Sequence, residues 1–106
     1  MVEFPDKLIY LYSDGVDFRK GIKSLSILIK TNFPNSDLHN SLFIFFSNDR
    51  KQVKILEIEE DGIWLYQNRL SDAKFVFPIC DKTTKIDYRQ LKFILKSVEL
   101  ISRKRR

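Results

Sequence analysis

The segment Leu42-Phe43-Ile44-Phe45-Phe46, followed by Ser47-Asn48-Asp49-Arg50, carries the main constraint on the fold. Five apolar residues between turn-forming residues are too few for a helix, and their unbroken run predicts a strand that is covered on both faces. The four residues that follow are typical of a turn. They predict a hairpin into a second strand over Gln52–Glu59.

The residues before this strand predict a strand and a helix. Leu8-Ile9-Tyr10-Leu11-Tyr12 is a short apolar run that stops at the turn signal Ser13-Asp14-Gly15, as strands do. Asp17 then stands at an N-cap position, and Pro34 ends the helix because proline cannot continue it. The apolar residues between them have helical spacing: Phe18, Ile22, Leu25 and Ile29. An isolated glycine, Gly21, falls inside this helix and predicts close packing there.

The residues after the hairpin predict further strands and a second helix. Asp61-Gly62 favours a tight hairpin into a strand that opens with Ile63-Trp64-Leu65-Tyr66, and Phe75-Val76-Phe77 reads as a short strand. Asp87 and Gln90 have the spacing of a capping box. The apolar stripe of the second helix is Leu91, Ile94, Leu95, Val98 and Ile101.

This order of elements predicts an α+β fold, an antiparallel meander of four to five strands packed with two helices. The chain runs strand, helix, strands, helix. Its 106 residues, 43% apolar and 31% charged, are typical of one domain, which we place at residues 1–102 with a basic tail at 103–106. No apolar run approaches the length of about 20 residues that spans a bilayer, so we expect no membrane contact.

The reactive residues are few and scattered. The single cysteine, Cys80, cannot form an internal disulfide, which favours the cytoplasm, and it is expected to be a small apolar side chain near the sheet. The single histidine, His39, is expected on a surface loop. One histidine and one cysteine do not make a zinc site, and the three isolated glycines form no phosphate loop. We expect no metal site and no cofactor.

An enzymatic interpretation rests on one acidic cluster. Glu57 and Glu59 share a strand face and lie close in sequence to Asp61, which is a pattern of divalent-metal sites. The alternative is a solvated strand end and turn. Nothing in the sequence supplies a nucleophile, a base and an anion hole together. We therefore predict no catalysis, with a small metal-dependent nuclease as the less favoured alternative.

The positive charge is more informative. The formal net charge is +5, but the last four residues, Arg103 to Arg106, carry four of these charges and leave the body at +1. Attraction to a polyanion must therefore come from local clusters and from the tail. The candidate nucleic-acid-binding residues are Arg19, Lys20, Arg50, Lys51, Lys54, Arg69 and Lys74. Trp64, Tyr66 and Phe75 are candidates for stacking on bases. Under the alternative interpretation these aromatic residues are core and the charges are ordinary solvent cover.

Several segments together resemble one family. Val16-Asp17-Phe18-Arg19-Lys20-Gly21-Ile22, opening a helix after a tyrosine-rich strand, resembles the entry motif of the small TnpB-type accessory proteins of the IS-sixty-six insertion-sequence family. The strand 41–46, the hairpin and strand 48–56, the strand 61–66 and the pair Arg69-Leu70 resemble that family in the same order. The resemblance runs from about Leu8 to Leu100.

The resemblance implies a non-catalytic accessory protein for transposition, encoded beside a large transposase. The implied partners are the element's DNA, held electrostatically, and that transposase. An adaptor or oligomeric scaffold that contacts only protein is the alternative. Strands that are apolar on both faces need cover, which a second copy of the chain, as a homodimer, or the transposase would supply.

Overall fold

The computed structural model describes residues 7–77 and 81–98, and the backbone of residues 99 and 100. Residues 1–6, 78–80 and 101–106, which include Cys80 and the basic tail, lie outside this part. The elements in chain order are β1 Leu8–Val16, α1 Gly21–Asn32, β2 Ser41–Ser47, β3 Gln52–Glu59, β4 Gly62–Arg69, β5 Ala73–Phe75, β6 Thr83–Ile86, α2 Tyr88–Lys96 and β7 Val98–Leu100. Short 3₁₀ turns precede α1 at Phe18–Lys20 and precede β2 at Leu38–Asn40.

The α+β fold class is confirmed. Five strands form one mostly antiparallel sheet in the order β4-β3-β2-β1-β6, and β2, β3 and β4 form a three-stranded meander within it. β1 differs, because it runs parallel to β2. The helix α1 connects these two strands, and such a crossover returns the chain so that both strands point the same way. β6, which the sequence analysis did not predict, lies antiparallel to β1 at the edge.

The last part of the chain departs from the prediction. The predicted strand 75–77 is β5, at 73–75, and it pairs with β7 in a separate two-stranded sheet. The second helix ends at Lys96, so Val98 is not part of its stripe, and Ile101 lies outside the described residues. The Ser97 hydroxyl donates to the Phe93 carbonyl at 2.7 Å, and the Val76 N–H donates to the Ser97 carbonyl at 2.7 Å. These bonds end the helix and start the pairing of β7.

The core lies on both faces of the sheet, as predicted for β2, whose seven residues are all buried. Because side chains alternate along a strand, β2 divides its apolar residues between two clusters. Phe43 and Phe45 pack in a cluster with Leu25 and Ile29 of α1. Leu42, Ile44 and Phe46 pack in a cluster with Leu91 and Ile94 of α2. We call these two sides the α1 face and the α2 face.

The start of α2 is capped, whereas α1 begins later than predicted and has no side-chain cap. The capping box of α2 is confirmed, with Asp87 and Gln90 each accepting from the other's backbone N–H at 2.7 and 2.8 Å. Asp17 caps the 3₁₀ turn, and α1 starts at Gly21. The prediction of close packing at Gly21 is wrong, because no heavy atom lies within 4 Å of the place of a Cβ. Its φ of +80° explains the glycine.

Gly15 was expected to form a turn, but it lies within β1, where the register shifts between Leu11 and Gly15. A Cβ at Gly15 would lie 2.5 Å from Asn48 Oδ1 and 2.8 Å from Asn48 Cα. The absence of a side chain therefore lets the β2–β3 hairpin approach β1 closely. This approach brings the 3₁₀ turn after β1 next to the hairpin.

Candidate nucleic-acid interface

Arg19 and Lys54 meet on the α1 face. Both line a shallow depression of about 470 Å³, together with Asp17, Phe18 and Gln67. Arg19 comes from the 3₁₀ turn after β1. Lys54 comes from β3, where it pairs with Phe45 of β2 and Gln67 of β4 across the sheet. Two candidate residues from separate parts of the sequence are thus brought together.

Asp17 holds the Arg19 side chain in place. The Arg19 Nε and Nη2 groups donate to the two carboxylate oxygens at 2.9 Å each, and the Arg19 backbone N–H donates at 3.0 Å. The guanidinium carries five N–H donors, of which this fork uses two. The Arg19 side chain remains 89% exposed. Arg19 is therefore an oriented cation at the surface, and the Asp17 carboxylate balances part of its charge.

The hydrogen bonds from Arg19 lower the pKa of Asp17 from 3.8 to about 2. The side-chain hydrogen bond is the largest cause and the backbone hydrogen bond the second, whereas the charge of Lys20 contributes least. A folded-state pKa below the unfolded value stabilises the fold above the unfolded pKa. This contribution is lost as the pH falls through about 2.

We expect Arg19→Ala to return the pKa of Asp17 most of the way towards 3.8, because it removes the bond that lowers this pKa most. Lys20→Ala is the matched control and should move the pKa of Asp17 only slightly, because it changes a distant charge alone. The measurement is an NMR titration of the Asp17 carboxyl carbon. A pKa that responds equally to both substitutions would contradict the assignment.

Lys54 is held by an aromatic ring. Its ammonium group lies 4.6 Å from the ring centroid of Phe18, a cation–π contact. Phe18 itself packs against the α1-face cluster. The ring thereby holds a flexible lysine at the depression that Arg19 and Phe18 also line.

Two lysines extend this charge. Lys20, a predicted candidate, and Lys23, which is not among the predicted candidates, line a second depression that also contains Asp17. The two lysines are three residues apart, and this spacing could have indicated that they lie on one side. We call Arg19, Lys20, Lys23 and Lys54 the cationic face.

Lys51 and Arg69 lie near the same end of the sheet, around Asp49. The Ser47 hydroxyl donates to Asp49 at 2.7 Å and the Lys51 backbone N–H at 3.0 Å. These bonds, and then the charges of Lys51 and Arg69, lower the pKa of Asp49. Part of the charge of both cations is therefore balanced by this carboxylate.

Arg50 lies elsewhere. Its Nη2 group donates to the Ser13 carbonyl at 2.6 Å, and its guanidinium lies 5.8 Å from the Phe46 ring and 5.2 Å from the Phe77 ring, on the α2 face. Its Nη1 atom is buried without a hydrogen-bond partner among the described residues. Lys74 is exposed on β5, in the second sheet. Neither residue lies on the cationic face.

The aromatic residues suggested for stacking do not join the cations. Phe75 is a buried core residue. Trp64 and Tyr66 lie on the α2 face, whereas Lys54 and Arg69 lie on the α1 face. Residues 64 and 66 alternate with 65, 67 and 69 along β4, so one face cannot present both sets. The structure therefore does not place the predicted stacking aromatics and the predicted phosphate-binding cations on one face.

The acidic residues of β3 accept hydrogen bonds from aromatic side chains. Glu57 and Glu59 share the α2 face, as predicted, but Tyr66 donates to Glu57 at 2.9 Å and Trp64 donates to Glu59 at 3.2 Å. Lys7 also pairs with Glu57 at 3.4 Å. Burial and the Glu57 bond raise the pKa of Tyr66. In residues 7–77 and 81–100, no three His, Cys, Asp or Glu side chains form a group that could hold a metal ion.

His39 is exposed on the 3₁₀ turn before β2. Neither helix of the described part is long and apolar enough to cross a bilayer.

The fold and its surface define a class of protein: a small α+β domain whose clearest surface chemistry is a group of cations. The sequence model of the IS66 Orf2-like protein family matches residues 7–105, and the chain belongs to this family. The resemblance found in the sequence is confirmed. The family has a transposition-related accessory role and is not a known catalytic family. No curated protein and no solved structure matches the chain.

Proposed function

We propose that the chain is a non-catalytic accessory factor that binds the DNA of its insertion sequence through the cationic face and presents this DNA to the transposase. The observation that carries the proposal is the meeting of Arg19 and Lys54 at one depression, with Lys20 and Lys23 beside it. The cytoplasm, which the single cysteine favours, is where we place this activity.

The chemistry of the cationic face suits phosphate groups. A guanidinium offers a planar set of donors to phosphate oxygens, and an ammonium acts as a point charge. Asp17 keeps the guanidinium oriented, and Phe18 does the same for the Lys54 ammonium. Contacts of this kind position a protein on the DNA backbone without reading its sequence. The four charges of residues 103–106 would add attraction at longer range.

Titration of fluorescent element-end DNA at several salt concentrations tests the proposal. The variant Arg19→Glu with Lys54→Glu should weaken binding at least about tenfold and reduce the slope of log affinity against log salt by about 2. The matched control is Lys92→Glu with Lys96→Glu, which makes the same charge change on exposed residues of α2, on the other face. Equal losses in both variants, or no binding at low salt, would contradict the proposal.

A second candidate is an adaptor that contacts only protein. The observation in its favour is an apolar groove of about 650 Å³ on the α2 face, lined by Val53, Ile55, Tyr66, Phe75 and Leu95. Apolar contacts persist at about 1 M salt, where the Debye length is about 3 Å and exposed charge pairs are screened. Co-purification with the transposase that survives this salt, without any DNA binding, would favour the adaptor.

A further inference from the structure

β4 is an exposed sheet edge that lacks the usual protection against pairing with another strand. It pairs with β3 along eight residues in an unbroken register, and it stands at the end of the sheet. Proteins protect such edges with lysine, proline, bulges or a short strand. The other edge, β6, follows this rule, with four residues that include Lys85. Residues 62–68 contain no charged residue and no proline, and Ile63 and Trp64 are 40% and 60% exposed.

The charges at the two ends of β4 are opposite. The hairpin before the strand carries Glu59, Glu60 and Asp61. The other end carries Arg69, with Lys51 and Asp49 nearby. The strand is therefore preceded by a negative turn and ends in a positive residue, Arg69. An antiparallel neighbour of the same sequence would place each acidic end beside a basic end.

We propose that a second copy of this chain pairs with the first through β4, antiparallel, with Leu65 opposite Leu65. The two main sheets then form one continuous sheet around a two-fold axis. None of the four residues of the cationic face lies on β4, although Gln67 of β4 borders the depression between Arg19 and Lys54, so the proposal does not depend on DNA binding. The occupant is a second copy because the strand is complementary to itself in charge.

Symmetry restricts the register. A two-fold axis perpendicular to the sheet keeps both α1 faces on one side, and directly opposite residues of antiparallel strands share a face. Each odd-numbered residue must then lie opposite an odd-numbered residue, and each even-numbered residue opposite an even-numbered one. The two-fold axis therefore passes through a residue and not between two residues. Centred on Leu65, the pairing sets Asp61 opposite Arg69 and Trp64 opposite Tyr66. Centred on Tyr66, it sets Arg69 opposite Ile63 and Asp61 opposite Ser71.

The Leu65-centred register is the better of the two because it sets opposite charges and aromatic rings across from each other, whereas the Tyr66-centred register does neither. Opposite charges and aromatic pairs directly across two strands both stabilise a sheet. The register also places the half-exposed Ile63 and Trp64 side chains against a neighbour. Glu59 already holds Trp64, and Glu57 holds Tyr66, so both rings are oriented on the α2 face before pairing.

The first test is the mass of the chain by analytical ultracentrifugation over a range of concentrations. We expect the mass to rise from 12.7 kDa to twice this value. Trp64→Lys should raise the dissociation constant of the dimer at least about tenfold. Phe93→Lys is the matched control, because Phe93 is 62% exposed on α2, and it should leave dimerisation unchanged. A chain that stays monomeric at the highest concentration, or a dimer unaffected by Trp64→Lys, would overturn the proposal.

The second test is a charge exchange. Asp61→Arg and Arg69→Asp should each weaken the dimer, and the double variant should recover most of the loss. Within one chain Asp61 lies in the turn that precedes β4 and Arg69 ends this eight-residue strand, whose ends are about 24 Å apart, so the two residues cannot pair with each other. Recovery therefore requires a contact between copies. Failure of the double variant to recover, with folding verified by circular dichroism, would overturn the register and with it the proposal.

Discussion

Phe43→Ala is expected to lower the free energy of unfolding by about 4 kcal/mol, because it removes a large and completely buried ring. Phe43 is completely buried on the α1 face of β2. Its ring packs against Tyr10 with centroids 5.6 Å apart and against Phe33 with centroids 5.5 Å apart. Alanine removes the ring and leaves a cavity that β1, α1 and β2 all line.

Denaturant unfolding measures this loss as a lower transition midpoint with an unchanged slope. Phe93→Ala is the control, because the same side chain is removed from an exposed position on α2. Its effect should stay within about 0.5 kcal/mol. A domain of this size has only about 5–15 kcal/mol of stability, so Phe43→Ala should remove a large part of it. Similar losses in both variants would show that burial in β2 is not what stabilises the sheet.

The central strand was predictable because its signal is local. An apolar run of five between turn residues can only be buried on both sides, and β2 is. The capping box of α2 is local in the same way, since Asp87 and Gln90 are three residues apart. The parallel pairing of β1 with β2 is not local. It depends on how α1 returns the chain, and a sequence of short strands does not state this direction.

The edge strand β6 and the end of α2 were missed for a related reason. Thr83-Thr84-Lys85-Ile86 has only one apolar residue, so its sequence does not predict a strand. It forms a strand because it pairs with the edge of β1. Val98 continues the helical spacing of α2 but joins β7, because its β5 partner is already in place. In both segments a tertiary pairing overrides a weak local preference.

The candidate site was predicted in part. Arg19 and Lys54 were chosen as cations near a helix start and a hairpin, and the close approach of that hairpin to Gly15 brings them together. What the sequence does not state is the face on which each side chain lies. A one-residue difference in position moves a strand residue to the other side of the sheet, which separates Trp64 and Tyr66 from the cations.

Arg50 is the residue for which sequence and structure point to different roles. The hairpin position suggested a phosphate contact, but the φ of +63° at Arg50 belongs to a tight turn and the side chain lies on the α2 face. There it links the hairpin to the Ser13 carbonyl of β1 and packs against Phe46 and Phe77, whose rings also contact each other. The Arg50 carbonyl also accepts from the Phe75 N–H at 2.7 Å. These contacts make Arg50 a structural link between β1, the hairpin and β5.

Arg50→Ala is therefore expected to lower the free energy of unfolding by about 2 kcal/mol, from the lost charged hydrogen bond and the lost cation–π contacts. Arg50→Gly should cost about 1 kcal/mol less than Arg50→Ala, because glycine adopts a positive φ without strain. Denaturant unfolding of the two variants gives both values. The comparison separates the side chain from the backbone, since alanine keeps the strained φ and glycine relieves it.

DNA titration of the same variants distinguishes the two roles of Arg50. If the guanidinium serves the fold, folded Arg50→Ala protein binds element-end DNA within about twofold of the unchanged chain, because one lost phosphate contact would cost more than this at low salt. Lys51→Ala is the neighbouring control, since it removes a charge from the same hairpin without the Ser13 bond. Unchanged stability together with weaker DNA binding in Arg50→Ala would reverse the conclusion and return Arg50 to the nucleic-acid interface. The stability and DNA-binding measurements together thus decide whether the Arg50 side chain stabilises the hairpin or binds phosphate.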